Sequence, residues 1–312
     1  MEVFEVNTQE YNKYIIKPYH KYGLGDFANL NAEKVEEVYY LLFSDGKIRL
    51  GLTGGIKGDS FFSPFSAPFG GFNHLKEDIK INQIDNACFA LIEWAKTKGL
   101  KSIKITLPPS IYNESFISKQ INALFRSNFI INNIELNYSY NTCNFDNNYA
   151  SNIWYNASKN LNIGLKNNLH IKKCFSIEQK KIAYEVIRQN RVAKSFPLRM
   201  SWDQIEETTK LIDADFFLCH DQFENAIAST IAFHVSKNII QIIYWGDIPD
   251  YSNLKTMNYM SYEIFNYYKN QNISIIDIGP STENSIPNYG LCEFKESIGC
   301  DISTKLSFEI IL

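Results

Sequence analysis

Two stretches of the chain carry the same succession of hydrophobic and polar patterns. In residues 39–55, YYLLFSDGKIRLGLTGG, two apolar runs flank Asp45-Gly46, which predicts a β-hairpin. FFSPFSAPFGGF (61–72) predicts a short strand running into a Pro/Gly loop. IDNACFALIEWAKTKG (84–99) has apolar residues at helical spacing and a glycine stop. KSIKITL (101–107), ISKQINALFRSN (117–128) and FIINNIELNYSY (129–140) then predict a strand, a helix and a strand. The second stretch repeats the order. ADFFLCHD (214–221) and AIASTIAFHVS (226–236) predict a strand pair, and IIQIIYWG (239–246) a third strand. MNYMSYEIFNYYKNQ (257–271) predicts a helix, ISIIDIG (273–279) a strand, GLCEFKESIG (290–299) a short helix and CDISTKLSFEIIL (300–312) a last strand. A repeat this long predicts two copies of one α/β unit, divided as 1–150 and 151–312.

Between the repeats, SIEQKKIAYEVIRQNRVAK (176–194) has an apolar face and a basic face. SWDQIEETTKLI (201–212) opens with Ser201 and, three residues on, Gln204, a capping-box pattern.

Composition changes this picture little. A chain of 312 residues with 45% hydrophobic positions can build one large core or two ordinary ones. A net charge of -3 gives no overall basic balance for DNA. The six cysteines form no CxxC pair and sit mostly in apolar runs, as buried free thiols of a reducing compartment do. The first residues, MEVFEVNTQEYNKY, lack the apolar segment of a signal peptide, and no apolar run reaches the ~20 residues of a membrane helix. The expectation is a cytoplasmic protein without a membrane span. His20, His74, His170, His220 and His234 show no ligand spacing, so no metal is expected.

The unit order of hairpin, strand, helix, strand, helix, strand resembles the GNAT (acyl-CoA N-acyltransferase) superfamily. Two such units in tandem resemble its Fem-like branch, which includes the bacterial peptidoglycan bridge aminoacyltransferases. The residues that carry the resemblance are QIIYWGD (241–247), DIGPSTE (277–283), NYGLCEFKESIG (288–299) and, at the opening of the second unit, NRVAKSFPLRMSW (190–202). The resemblance implies an α/β (α+β) fold of tandem GNAT-like units, each a mixed sheet flanked by helices, sharing one cleft. It implies an N-acyltransferase that moves an acyl or aminoacyl group onto an amine of a small molecule or a cell-envelope precursor. The pyrophosphate loop Q/R-x-x-G-x-G/A is absent from both halves; IIYWG is followed by DIPDYSNLKTMN. The donor therefore stays open between acyl-CoA and aminoacyl-tRNA, with tRNA a partner only as donor. A non-catalytic module holding a nucleotide-sugar or acyl ligand is the alternative.

Acyl transfer needs a deprotonated amine, a held carbonyl and fixed donors for the tetrahedral oxyanion. The resemblance implies that a lysine near the end of the chain meets the oxyanion, and Lys295 is that lysine here; a solvated lysine on an amphipathic helix competes. Asp277, at the end of an apolar strand, is either a general base or a turn cap. Tyr244 is a proton donor to the leaving group or a core aromatic. Ser281, Asn288 and Tyr289 are substrate-binding candidates that ordinary turn chemistry also explains. Ser63, Ser66, Gly70 and Gly71 offer a binding loop or a rigid turn. Arg191 and Arg199 flank the best local anion site, which a solvated basic helix end also explains.

Overall fold

The computed structural model describes all 312 residues and divides into two compact units, Met1–Leu136 with Ser303–Leu312, and Asn137–Ile302. The first unit begins with β1 (Glu2–Val6), α1 (Thr8–Tyr14) and α2 (Gly25–Leu30), which the hydrophobic pattern did not announce. β2 (Glu37–Ser44) and β3 (Ile48–Lys57) form the expected hairpin, with Gly46 in the turn at φ +95°. β4 (Ser60–Ser63) and β5 (Asn73–His74) both pair with β3. α3 (Ile81–Thr97) connects to β6 (Ser102–Thr106), which lies parallel to β4. α4 (Glu114–Arg126) and β7 (Ile130–Asn141) follow. Ile84, Cys88, Leu91 and Ala95 form one face of α3 and pack in a core with Leu41, Phe43, Phe61 and Ile103.

The second unit contains α5 (Tyr149–Asn152), α6 (Tyr155–Lys166) and β8 (His170–Lys173). α7 (Ile177–Ala193) is capped by a Ser176/Gln179 box, and α8 (Trp202–Thr209) by the Ser201/Gln204 box expected from sequence. β9 (Ala214–His220), β10 (Ala226–Ser236) and β11 (Ile239–Asp247) form an antiparallel run. α9 (Thr256–Asn270) crosses to β12 (Ile275–Pro280), which is parallel to β11. A small hairpin, β13 (Thr282–Glu283) with β14 (Ile286–Pro287), leads into α10 (Tyr289–Ser297) and β15 (Asp301–Ile311).

Strand order in the first unit is β1-β2-β3-β4-β6-β15-β7, and in the second β7-β12-β11-β10-β9-β8. The last strand of each sequence half is thus exchanged. β15 pairs antiparallel with β6, Ser307 opposite Thr106 to Ile311 opposite Ser102. The later half of β7 pairs antiparallel with β12, Asn141 opposite Ile275 to Asn137 opposite Pro280. The division expected at 150 falls inside α5, because β7 crosses from one unit to the other well before it.

Candidate functional site

Parallel strands β11 and β12 pair over only three residues: Ile239 with Ile275, Ile240 with Ile276, Gln241 with Asp277. Past that step they part. β11 stays with β10 up to Asp247, with one extra residue, Ile243, between Ile242 and Tyr244. β12 stays with β7, but Ile278 is bulged between the pairs Asp277–Ser139 and Gly279–Tyr138. Gly279 completes the kink at φ +73°, in the left-handed region that favours glycine.

Asp277 sits at the last paired step and is fully buried. Its Oδ1 accepts from Asn137 Nδ2 at 2.8 Å and from the Gly279 amide at 2.9 Å; its Oδ2 accepts from Gln241 Nε2 at 2.7 Å. One carboxylate therefore ties β7, β12 and β11 together where the strands divide. Asn137 and Gln241 were not singled out from sequence, although Gln241 is the one polar residue in the run IIQIIY.

Lys295 belongs to α10, whose N-cap is Asn288, its side chain accepting from Leu291 N at 3.1 Å. Phe294 packs against Trp245 of β11, ring centroids 6.0 Å apart, and turns the helix so that Cys292 and Lys295 are buried. Lys295 is only 4% exposed, which removes the solvated-lysine reading. Its Nζ donates to the carbonyls of Ile278 (3.1 Å), Gly279 (2.8 Å) and Pro280 (3.1 Å) and lies 5.2 Å from the centre of the Tyr138 ring. In a regular strand, successive carbonyls point to opposite sides. The bulge and positive φ let three in a row meet one ammonium. Burial pulls the Lys295 amine down to about 8, while the Asp277 charge and the neighbouring thiols act the other way.

Tyr244, on the parted stretch of β11, is 7% exposed. Its hydroxyl oxygen accepts from the amides of Arg199 and Met200, each at 3.1 Å, which leaves its own proton to donate. Burial raises its pKa. The Arg191 guanidinium lies over the rings of Tyr244 (5.5 Å) and Phe196 (5.9 Å), and its Nε is buried without a hydrogen-bond partner. Desolvation lowers its pKa, yet no carboxylate pairs with it within salt-bridge distance. Asp247 is paired with Lys194 at 3.2 Å and Glu283 with Arg199 at 2.8 Å. α7 can come this close to β11 because position 246 is glycine; a Cβ there would lie 2.6 Å from the Asn190 side chain. Ser281, one residue past the lysine's carbonyls, is buried, and its Oγ has no partner. Asn288 is exposed and serves as the cap, and Tyr289 is 80% exposed.

The 63–72 loop belongs to the first unit. There the parallel pair β4/β6 also stops, at Ser63 opposite Ile105. The loop then turns back onto β6: Gly70 N donates to Thr106 O at 2.7 Å, and Gly71 N to Ser63 Oγ at 3.2 Å. Ser63 is buried and donates to Thr53 O; Phe69 and Phe72 are buried too. Ser66 Oγ donates to Asn31 and accepts from Lys34, beside a void of only about 10 Å³. Within the first unit, the loop thus occupies the space beside β6 past the end of the β4/β6 pairing.

The glycine-paired phosphate loop has no counterpart in the structure. After β11 the chain makes a 3-10 turn, Pro249–Leu254, and enters α9 from Lys255 at φ +57°. No group of three or more His, Cys, Asp or Glu side chains is arranged to hold a metal ion.

No protein-family model matches the chain, and no curated protein matches it. Solved structures do. FemX superposes with a TM-score of 0.71 at 13% identity, over 100% of this chain and 98% of FemX. L-PGS from Bacillus licheniformis gives 0.63 at 12% identity, over 97% and 92% of the two chains. A tandem GNAT protein from the clavulanic acid biosynthesis pathway gives 0.54 at 8% identity, over 99% and 98%. At such identities the likeness speaks for the fold alone: this chain shares its fold with FemX, L-PGS and the tandem GNAT protein.

Proposed function

We propose that the chain is an N-acyltransferase that moves an acyl or aminoacyl group from an activated donor onto an amine of a small molecule or a cell-envelope precursor, in the cytoplasm of a bacterium. The observation that carries the reading is the early parting of β11 and β12, with a buried ammonium at the open end. Past Gln241 no strand pairs with the β11 edge that had faced β12, so an extended donor can take the ladder positions. Lys295 then exchanges one of its two longer carbonyl bonds, to Ile278 or Pro280, for the oxyanion. Tyr244 keeps its proton through burial, passes it to the leaving group as the acyl–donor bond breaks, and regains one from the attacking amine as the N–C bond forms. Arg191, unpaired between two rings, and the unpartnered Ser281 Oγ receive an anionic and a polar group of the substrates.

The donor is an acyl-CoA or an aminoacyl-tRNA. Without paired glycines before α9, a diphosphate has no backbone cradle there and depends on side chains such as Arg191. One observation favours the non-catalytic reading: all three protons of the Lys295 ammonium already have acceptors. Both readings are tested by incubating the protein with acyl-CoAs or charged tRNA and amine acceptors. Transfer that depends on Lys295 and Tyr244 supports the enzyme. Thermal stabilisation by an acyl donor or nucleotide-sugar without transfer supports the binding module.

A further inference from the structure

The environment of Lys295 is a built receptor for one kind of group. Three carbonyl oxygens converge on a point, at 3.1, 2.8 and 3.1 Å from the nitrogen they hold, and the Tyr138 ring lies 5.2 Å away. Three acceptors and an aromatic face match the three N–H bonds and the charge of a primary ammonium. None of the groups that shape this point is part of α10. The kink is made by β12 itself, at the bulged Ile278 and at Gly279. It is held by Asp277, which accepts from the Gly279 amide two residues on, and Asp277 is held in turn by Asn137 and Gln241. Tyr138 is on β7, next to Asn137, and its hydroxyl donates to Glu296 at 2.9 Å.

We propose that Asp277, with Asn137 and Gln241, preforms a seat for a primary ammonium at residues 278–280, and that Lys295 is its resident occupant. Asp277 is then a positioning residue, acting through the backbone carbonyls on the lysine. The seat exists whether or not the lysine fills it, and it selects a group with three N–H donors over a quaternary cation of the same charge. Only the link from the seat to catalysis rests on the acyltransferase reading above.

The test uses Lys295→Ala, which empties the seat, with methylammonium as probe and tetramethylammonium, which has no N–H, as control. Methylammonium at ~10 times its Kd should raise the melting temperature of Lys295→Ala by about 2–4 °C. It should leave the wild type, whose seat is full, unchanged, and tetramethylammonium should stabilise neither. Adding Gln241→Leu to Lys295→Ala should abolish the stabilisation. Equal shifts in wild type and variant, or none in the variant, would overturn the proposal. If Lys295→Ala does not fold, Gln241→Leu alone is the second arm. Loosening the clip should expose Lys295 to acylation by an amine-reactive ester at least tenfold faster than in the wild type, and an unchanged rate overturns the proposal. Methylammonium binding that does not restore acyl transfer to Lys295→Ala still upholds the seat and counts only against the catalytic role of the lysine.

Discussion

Lys295 is legible in the sequence as a lysine near a glycine turn, but its burial is not, because a lysine on a short amphipathic helix is ordinarily solvated. What receives its buried ammonium is the kink at Gly279, sixteen positions earlier in the chain. Gly279→Ala meets no steric obstacle, since nothing lies within 4 Å of a Cβ built there, so its whole effect comes from the positive φ. We expect a loss of about 1–2 kcal/mol in urea unfolding, with transfer activity falling more than stability as the carbonyls turn away from the lysine. Lys295→Ala leaves three buried carbonyls without their donor and should lower stability by about 2–4 kcal/mol. Under the acyltransferase reading it lowers turnover roughly 10²–10³-fold as well. Lys295→Met, which keeps the side-chain volume, separates the two effects. His20 gives a pH prediction. It is fully buried against Tyr19 and Phe69, neither ring nitrogen makes a well-formed hydrogen bond, and burial pulls its pKa down to about 3 against a smaller upward pull from the Gly70 backbone. The unfolded chain takes up a proton near the ordinary value of 6.5 and the folded one only near 3. The contribution to stability is therefore intact above pH 6.5 and is lost progressively as the pH falls toward 3. His20→Phe should flatten the fall in urea midpoint between pH 6.5 and 4; an unchanged slope would refute it.

Elements were easier to read than their partners. The Asp45-Gly46 hairpin, the Ser201/Gln204 cap and the Asn288 entry to α10 all lie where local chemistry puts them. Each is decided within a few residues, so the sequence is enough. β1, α1, α2 and β8 were missed because they are short, and their apolar positions are spread among polar ones, as in EVFEV. The parting of β11 and β12 leaves only a faint trace, a glutamine in one apolar strand and an aspartate in the other. Which strands pair, and for how many residues, depends on contacts far apart in the chain. α10 offers a test at this scale. Asn288→Ala removes the side chain that accepts from Leu291 and should cost about 1 kcal/mol. Because Lys295 rides on that helix, amide exchange should rise at residues 289–297 first, with the β11/β12 pairs still protected.

At the scale of the molecule, the repeat was visible but the exchange of last strands was not. β7 and β15 carry similar alternating patterns, so neither sequence says which sheet it enters. The exchange leaves the two units unequal. All strands of the second lie within the single stretch 137–302, whereas the first lacks the strand between β6 and β7 until 303–312 is added. Expressed alone, residues 137–302 should give a cooperative unfolding transition and residues 1–136 should not; a peptide of residues 303–312 should restore structure to the latter. A chain made from its N-terminal end would then finish its halves in reverse order. The half translated first waits, its β6 edge open, while residues 137–302 emerge, and is closed only when residues 303–312 follow. A chain cut after residue 302 and held on the ribosome by a linker long enough to clear the exit tunnel should carry a protease-resistant second half beside a first half that is still cut, an intermediate that depends on the order of synthesis and that refolding of the whole chain from urea need not visit.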